Sequence, residues 1–294
     1  MNTGLNRLRR TAAACGIGLL FGAGAAAGDD ASPWDGDARS AVRLIAGSSP
    51  AARTAPTGPA RAGGATVRAG LEIRLAAGWH TYWRYPGDAG VPPRFDFAGS
   101  QNVKSVEVLW PAPQRIPEEG LTAIGYRSDV TLPLVVVPLD PARPATLKLK
   151  LDYAVCEKLC VPAEGRAALV LSGGASSNDA ALVAAEARVP KKRALGEGTA
   201  LAVRSVRREA EAGRARIIVD VAAPAGTAVA LFAEGPTPDW ALPVPVPVAG
   251  APAGVQRFAF DLDGAPPGAT YEGATVTLTA VTGESAIEVS TRLD

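Results

Sequence analysis

The chain has 294 residues, a formal net charge of +1 and 47% hydrophobic residues, with 32 glycines and 25 prolines. A net charge this close to zero provides no basic surface for nucleic acid or for an anionic membrane, so nucleic-acid binding is excluded as a main function. The length suits two domains of about 100 to 150 residues. Because glycine and proline separate many short apolar segments, the composition predicts β-structure with many turns.

The N-terminus has the pattern of a secretory signal peptide. Arginines at positions 7, 9 and 10 precede an apolar run of small residues from Thr11 to Gly24, and Ala25 to Ala27 offer a cleavage site. We therefore predict a cleaved signal peptide over residues 1–27. No later apolar run approaches the roughly 18 residues of a membrane-spanning helix. The mature protein is expected in the periplasm, where disulfides persist.

The first segments of the mature chain differ in regularity. Residues 28–64 are rich in Ala, Gly, Pro and Ser, with little periodicity apart from Ala41 to Ile45, and predict a partly ordered lead-in. From Val67 to Leu75, apolar residues alternate with charged ones, which predicts a half-buried strand. Further strands are expected at Asn102 to Trp110, Val130 to Pro138, from Ala145 to the first mature cysteine, and at Ala167 to Leu171.

The densest aromatic segment of the chain runs from Trp79 to Asp88. Its rings either fill the core of a strand and turn, or some of them wall a pocket around the thiols described below. Tyr82 and Tyr85 are the first choices for the second role, because a tyrosine combines an apolar ring with a polar tip.

His80, within this segment, is the only histidine. A zinc site with two histidines is therefore impossible, and no nucleophile motif accompanies His80. We expect a strand residue with an ordinary hydrogen bond, and we predict no cofactor and no metal ligands.

A proline-rich segment from Pro111 to Tyr126 contains a glycine on either side of Ile124. It reads as a long loop between strands. Long loops in compact domains are often functional, so this one either covers the thiols or is a plain connection.

Cys156 and Cys160 are the only cysteines outside the predicted signal peptide. Alternating Leu and Lys residues from Leu147 to Tyr153 predict a strand that ends at Cys156. If that strand continued straight, the two cysteines would lie about 13 Å apart at about 3.3 Å per residue, whereas a disulfide needs Cα atoms within roughly 7 Å. Either the thiols never pair, or the chain turns between them.

Three interpretations of this pair remain open from its spacing. A structural disulfide here would be weak, because so short a ring removes only about 2 kcal/mol of unfolded-chain entropy. Lys158 favours a reactive thiolate and Glu157 opposes it, so a redox or exchange role is the second interpretation. A metal site is the third.

The C-terminal part contains a linker and a second domain. Residues 173–198 predict a linker with a short helix over Asp179 to Val189, with Asn178 as its N-cap and Pro190 as its stop. Residues 199–294 show strand-like runs separated by Pro/Gly turns, which predict a second β-sandwich. The strands are expected at 200–206, 216–221, 227–232, 255–262, 274–281 and 287–293.

The blocks from Trp79 to Pro93 and from Tyr153 to Glu164, with the strand at Leu132 between them, resemble the periplasmic N-terminal domain of DsbD, the protein-disulfide reductase. The variant found in ScsB-type proteins, linked to copper tolerance, is the most similar. The resemblance implies an immunoglobulin-like sandwich over residues 65–172. The fold expected for the whole chain is therefore all-β, with two immunoglobulin-like β-sandwich domains after the signal peptide.

The same resemblance implies the site and its partners. Cys156 and Cys160 would be the exchanging pair, with Cys160 attacking clients. The positions of a cap loop correspond to Ile124, Gly125 and Tyr126, and the pocket would be completed by the side chains of Tyr82, Tyr85 and Tyr153.

Partners implied in this way are a membrane-embedded electron donor of the DsbD type and periplasmic thioredoxin-like clients. Since the chain to Asp294 contains no membrane-embedded or thioredoxin-like segment, the donor is expected to be a separate protein. Two alternatives are a copper-binding or copper-tolerance protein that uses the same thiolates, with or without His80, and a non-catalytic β-sandwich module with a structural disulfide.

Overall fold

A computed structural model describes residue 1 and residues 30–49, 66–118, 120–211 and 214–293. Most of the predicted signal peptide and part of the lead-in lie outside these residues. The described residues form four β-sheets and one short helix, so the chain is all-β with two sandwiches, as predicted. In this part of the chain, no helix has the length and apolarity required to cross a membrane.

Two sheets form the first sandwich. One has the strand order β1-β2-β3-β9-β6, and the other has the order β11-β10-β4-β8-β7, with β5 paired to β10. Their bounds are β1 Asp35–Gly36, β2 Ser40–Ala46, β3 Val67–Leu75, β4 His80–Gly87, β5 Arg94–Asp96, β6 Val103–Val108, β7 Gln114–Glu118, β8 Leu121–Tyr126, β9 Val130–Pro138, β10 Ala145–Cys156 and β11 Cys160–Leu171.

The core of this sandwich follows the alternation in the sequence. In β10, Leu147, Leu149 and Leu151 are buried, while Lys148 and Asp152 are exposed. Burying one face of each strand is the main stabilising term, at about 25 cal/mol per Å² of apolar surface. The segment from Ser40 to Ala46, within the predicted lead-in, forms β2 and contributes the fully buried side chains of Val42 and Leu44 to this core. Ile45 is also fully buried, but it lies on the other face of the strand, near Leu182.

The prediction of a long loop from Pro111 to Tyr126 was wrong, because most of this segment forms the antiparallel hairpin β7–β8. Its prolines suggested a loop, but β7 is the edge strand of its sheet. An edge strand tolerates Pro117, since one of its sides needs no ladder hydrogen bond.

A single helix, α1 (Asp179–Ala187), follows the first sandwich as predicted. Asn178 occupies the N-cap position but makes no capping hydrogen bond with its side chain; its amide instead donates to the carbonyl of Asp30 at 2.9 Å. The helix packs on the first sheet through the buried Leu182, whose methyl groups occupy the space beside the backbone of Gly47 and Gly70.

The second sandwich also has two sheets, ordered β12-β19-β18-β15 and β13-β14-β17-β16. The sequence pattern had predicted the longer strands but neither β12, which extends a sheet in parallel with β19, nor β16. The bounds are β12 Lys191–Arg193, β13 Ala202–Glu211, β14 Arg214–Ala222, β15 Ala230–Glu234, β16 Val246–Val248, β17 Val255–Asp261, β18 Thr275–Val281 and β19 Ala286–Arg292.

Side chains of β4, in the first sandwich, contact the second sandwich. The guanidinium of Arg84 lies 2.6 Å from the Glu234 carboxylate and 2.5 Å from that of Glu288. The buried ring of Trp83 contacts Phe232 of the second sandwich, with ring centroids 6.0 Å apart. Trp83 and Arg84 of β4 therefore pack against the second sandwich.

Candidate functional site

The site lies at the turn end of the hairpin formed by β10 and β11, at the last residue pair before the turn. Cys156 and Cys160 face each other as a cross-strand pair, with their Cα atoms 4.2 Å apart and their sulfur atoms joined in a disulfide. The chain therefore turns between the cysteines, one of the two possibilities that the sequence had left open. The tip of the turn is exposed, and the side chain of Leu159 is 80% exposed.

The two sulfur-bearing residues differ in their access to solvent. Cys156 is only 2% exposed, whereas Cys160 belongs to the exposed tip. In thiol-disulfide exchange, the rate depends on which sulfur can be reached. Cys160 therefore carries the more accessible sulfur atom of the pair.

Tyr82 contacts both sulfur atoms. Its hydroxyl lies 2.7 Å from Cys156 Sγ and 3.0 Å from Cys160 Sγ. Burial, with a smaller contribution from the charge of Glu118, raises the pKa of Tyr82 to about 12. The hydroxyl is therefore protonated at neutral pH and can donate a hydrogen bond to a sulfur atom.

The ring of Tyr82 is held in place by the loop that follows β4. Tyr82 is 1% exposed, and Gly90 lies so close that an added Cβ would be 2.4 Å from the ring. Gly90 also has a φ of +119°, which favours glycine. This close approach fixes the hydroxyl against the disulfide.

Behind Tyr82 lies a pair of polar side chains, His80 and Glu118. His80 pairs directly with Cys156 across β4 and β10, and its imidazole packs edge-on against Tyr82 with ring centroids 5.6 Å apart. His80 Nε2 lies 2.6 Å from Glu118 Oε1. Their orientation is nevertheless poor, and neither atom makes a hydrogen bond of acceptable geometry with any described residue. His80 is a strand residue, as expected, but its Nε2 lacks the ordinary hydrogen bond that we had predicted.

Glu118 was missed by sequence reasoning. It lies at the end of β7, opposite Leu121, and its carboxylate meets His80 although β8 lies between β7 and β4 in the sheet. A single carboxylate in a proline-rich segment carries no signal of such a role in the sequence.

Of the tyrosines predicted around the thiols, the structure brings only Tyr82 to the sulfur atoms. Tyr85 donates its hydroxyl to the carbonyl of Leu242 in the second sandwich, at 2.6 Å. The Tyr153 hydroxyl lies 2.8 Å from that of Ser40, across the first sandwich. Tyr85 therefore belongs to the contact between the two sandwiches, and Tyr153 belongs to the interior of the first sandwich.

The residues predicted as a cap lie in β8. That strand is separated from the cysteine strand β10 by β4. Ile124 is fully buried, and the hydroxyl of Tyr126 donates to the carbonyl of Pro111 at 2.8 Å. Gly125 is required by close packing, because a Cβ there would lie 2.0 Å from the carbonyl oxygen of Thr81. These contacts put the three residues in the packed interior of the sheet.

Comparisons with known proteins agree with the geometry. Residues 52–172 match the family model of the N-terminal part of the thiol:disulfide interchange protein DsbD. Among solved structures, the N-terminal periplasmic domain of ScsB from Proteus mirabilis is similar, with a TM-score of 0.65 and 19% sequence identity. That match covers 90% of this chain and 98% of the ScsB chain. No curated protein sequence matches. The resemblance predicted from the sequence is thereby confirmed: residues 52–172, which carry the aromatic strand and both cysteines, match the DsbD N-terminal family, and the chain has the fold of the ScsB domain.

Proposed function

We propose that the protein is a periplasmic thiol-disulfide exchange module that passes electrons from a membrane-embedded donor of the DsbD type to thioredoxin-like clients. The observation that carries this proposal is the asymmetry of the disulfide, in which Cys160 is exposed at a hairpin tip and Cys156 is buried under Tyr82. The family match of residues 52–172 supports the same chemistry.

Periplasmic location is part of the proposal. It is supported by the signal-peptide pattern in residues 1–27 and by the similarity to a ScsB domain that is periplasmic. An oxidising compartment also favours a disulfide as the resting form of the pair.

The exchange would proceed in two balanced steps. In the reduced protein, the Cys160 thiolate attacks a client disulfide, forms a mixed disulfide and releases one client thiolate. Cys156 then attacks the Cys160 sulfur, which restores the internal disulfide and releases the second client thiolate. Two electrons pass to the client, whose thiolates take up the two protons that the cysteines release. A donor dithiol returns the protein to its reduced form by the reverse chemistry.

Tyr82 has a defined part in this sequence. Its protonated hydroxyl touches both sulfur atoms, so it can donate to whichever sulfur carries negative charge. Hydrogen bonds to charged groups are about twice as strong as those between neutral groups. Tyr82 therefore supports the thiolate that attacks and the thiolate that leaves.

Single-cysteine variants test the proposal. Mature Cys156→Ser and Cys160→Ser proteins are reduced, freed of reductant and mixed with an oxidised thioredoxin-fold protein as a model client. With Cys156→Ser, we expect a mixed disulfide that accumulates on a non-reducing gel, since the resolving thiol is absent. With Cys160→Ser, we expect at most a trace.

The double serine variant is the control for non-specific adducts. Because the pathway needs both thiols, client reduction at the wild-type rate by Cys156→Ser in a reconstituted donor-client assay would overturn the proposal. Failure of both single variants to form any adduct, while wild-type protein reduces no client, would overturn it as well.

A further inference from the structure

We infer that the reduced protein binds one zinc ion at His80 Nε2, Glu118 Oε1 and the sulfur atoms of Cys156 and Cys160. The site uses the same cysteines as the proposed exchange, but it does not depend on any exchange with a client. The proposed module would thus bind zinc as well, and it would do so only when the cysteine pair is reduced.

The donor atoms already converge. One ligand atom from each of His80, Glu118 and Cys156 lies within 4.8 Å of the others. They come from three strands of one sheet, β4, β7 and β10, so their backbone positions are set by strand pairing. Ligands on a rigid sheet hold a metal geometry better than ligands on loops.

The second observation is the unsatisfied state of the polar pair. His80 is 6% exposed, and its Nε2 and the Glu118 Oε1 are both buried and make no well-oriented hydrogen bond within the described residues. Buried polar atoms are nearly always paired, and an exception calls for an unseen water or ion. The two atoms lie 2.6 Å apart, whereas two ligands about 2.0 to 2.2 Å from one tetrahedral zinc lie about 3.4 Å apart. The two side chains therefore need to separate by less than about 1 Å to admit the ion.

The chemistry of the donors selects the metal. Zinc accepts thiolate sulfur at about 2.3 Å, imidazole nitrogen at about 2.0 to 2.1 Å and carboxylate oxygen at about 2.0 to 2.2 Å, in a tetrahedron. Magnesium and calcium prefer oxygen ligands alone, and copper(I) is selected by thiolates and thioethers. A mixed set of one nitrogen, one oxygen and two sulfur atoms favours zinc.

Reduction of the disulfide completes the site. In the oxidised protein, the two sulfur atoms are bonded to each other and are not thiolates. A phosphine reductant with one water converts the disulfide to two thiols and becomes a phosphine oxide. Zinc then binds the two thiolates and displaces their protons to the solvent. The oxidised protein should therefore bind zinc poorly.

Selective binding to the dithiol changes its redox equilibrium. A ligand that binds one form stabilises that form by mass action. Once free zinc exceeds its dissociation constant, each further tenfold increase in its concentration would shift the dithiol-disulfide equilibrium about tenfold toward the dithiol. The reduction potential of the pair would rise by about 30 mV for each such increase.

Cobalt(II) is a spectroscopic probe for the site. The mature full chain is reduced with a phosphine, and cobalt is titrated without oxygen while absorption is recorded. We expect one equivalent of cobalt with thiolate-to-cobalt charge-transfer bands and tetrahedral d–d bands, both lost when zinc is added. Protein with an intact disulfide should give neither band.

Variants identify the ligands. His80→Gln and Glu118→Gln should each weaken zinc affinity by at least tenfold, measured by competition with a chromophoric chelator. The matched control is Glu157→Gln, which removes an exposed carboxylate beside Cys156 and should leave the affinity unchanged. Thermal unfolding of each oxidised variant confirms that it is folded before reduction.

The inference is overturned if oxidised protein binds cobalt as tightly as reduced protein. It is also overturned if both Gln variants bind zinc like the wild type, or if the reduced protein binds copper(I) but shows no cobalt spectrum, because the thiolates alone would then account for metal binding. A protein that forms client adducts without binding cobalt would refute this inference alone. Cobalt binding without client adducts would refute the proposed exchange alone.

Discussion

The hydroxyl of Tyr82 lies 2.7 Å from the buried sulfur of Cys156. The same hydroxyl reaches the sulfur of Cys160, so one protonated group serves both halves of the disulfide. The ring that carries it lies against Gly90 and is buried in a small cluster with Ile116, Ala123 and Ala154. The hydrogen-bond donor is therefore fixed in place before any partner arrives.

The reduction potential of the pair separates an exchange disulfide from a structural one. We expect a value of roughly −180 to −270 mV, the range of exchange-active dithiols. The measurement equilibrates the mature protein against glutathione or dithiothreitol buffers and traps free thiols, with metal chelators present. A potential below about −300 mV would mean a structural bond.

Tyr82→Phe is expected to slow exchange by about tenfold or more. The variant keeps the ring but removes a hydrogen bond to a charged sulfur, which is worth about 1.5 to 3 kcal/mol. The measurement is the second-order rate of reduced protein with a small aromatic disulfide. Tyr271→Phe is the control, since that hydroxyl accepts a hydrogen bond from Ala265 in the second sandwich. Equal rates for both variants and the wild type would contradict this role.

Gly90→Ala is expected to destabilise the protein by about 2 kcal/mol or more. A left-handed φ costs a residue with a Cβ about 1 to 2 kcal/mol, and the new methyl group would also displace the Tyr82 ring. Gly254→Ala isolates the backbone cost, because that glycine has a φ of +78° and no atom within 4 Å of an added Cβ. Urea unfolding measures both losses, and the prediction fails if they are equal.

Arg84→Met is expected to cost about 3 kcal/mol of stability, because it leaves two largely buried carboxylates without a cation. Burial alone would lower the pKa of Arg84, but hydrogen bonds and charge from Glu234 and Glu288 outweigh it and raise the pKa overall. The control is Arg193→Met, whose ion pair with Glu197 is exposed and should contribute less than about 1 kcal/mol. Similar unfolding free energies for the two variants would show that Arg84 does not secure the domain interface.

Asp220→Asn is expected to destabilise the second sandwich at neutral pH. Hydrogen bonds from Arg257, and less strongly from Arg207, lower the pKa of Asp220 below its ordinary value of 3.8. A lowered pKa in the folded state adds stability above pH 3.8 that is lost as the pH falls through the folded value. The difference in unfolding free energy between wild type and variant, measured from pH 6 to pH 3, should therefore shrink toward the acid end. A constant difference would rule out this electrostatic contribution.

Much of the fold could be predicted from local patterns. Period-2 alternation located β3 and β10, because burial of one sheet face imposes that period directly on the sequence. The longer strands of the second sandwich were located as strand-like runs between Pro/Gly turns. The linker helix was also predictable, from its alanine-rich spacing and the proline that follows it. Short edge strands such as β12 and β16 were missed, since three residues carry no period.

The candidate site was only partly predictable. The cysteine pair was found by counting, and Tyr82 was one of several aromatic candidates in a single segment. The proline-rich segment gave no sign of a strand, so neither the β7–β8 hairpin nor the position of Glu118 could be anticipated. The sequence also gave no sign that the predicted cap residues, Ile124 to Tyr126, belong to a strand, β8.

The sequence by itself determined the strand periods, the two-domain composition and the presence of two cysteines after the predicted signal peptide, because each is a local or a counted property. Only the tertiary structure decided which tyrosine touches the sulfur atoms, that Cys156 is buried while Cys160 is exposed, and that Glu118 faces His80. Those relationships depend on strand register and sheet order, which join residues far apart in the chain, and a one-residue change of register turns each side chain to the opposite face.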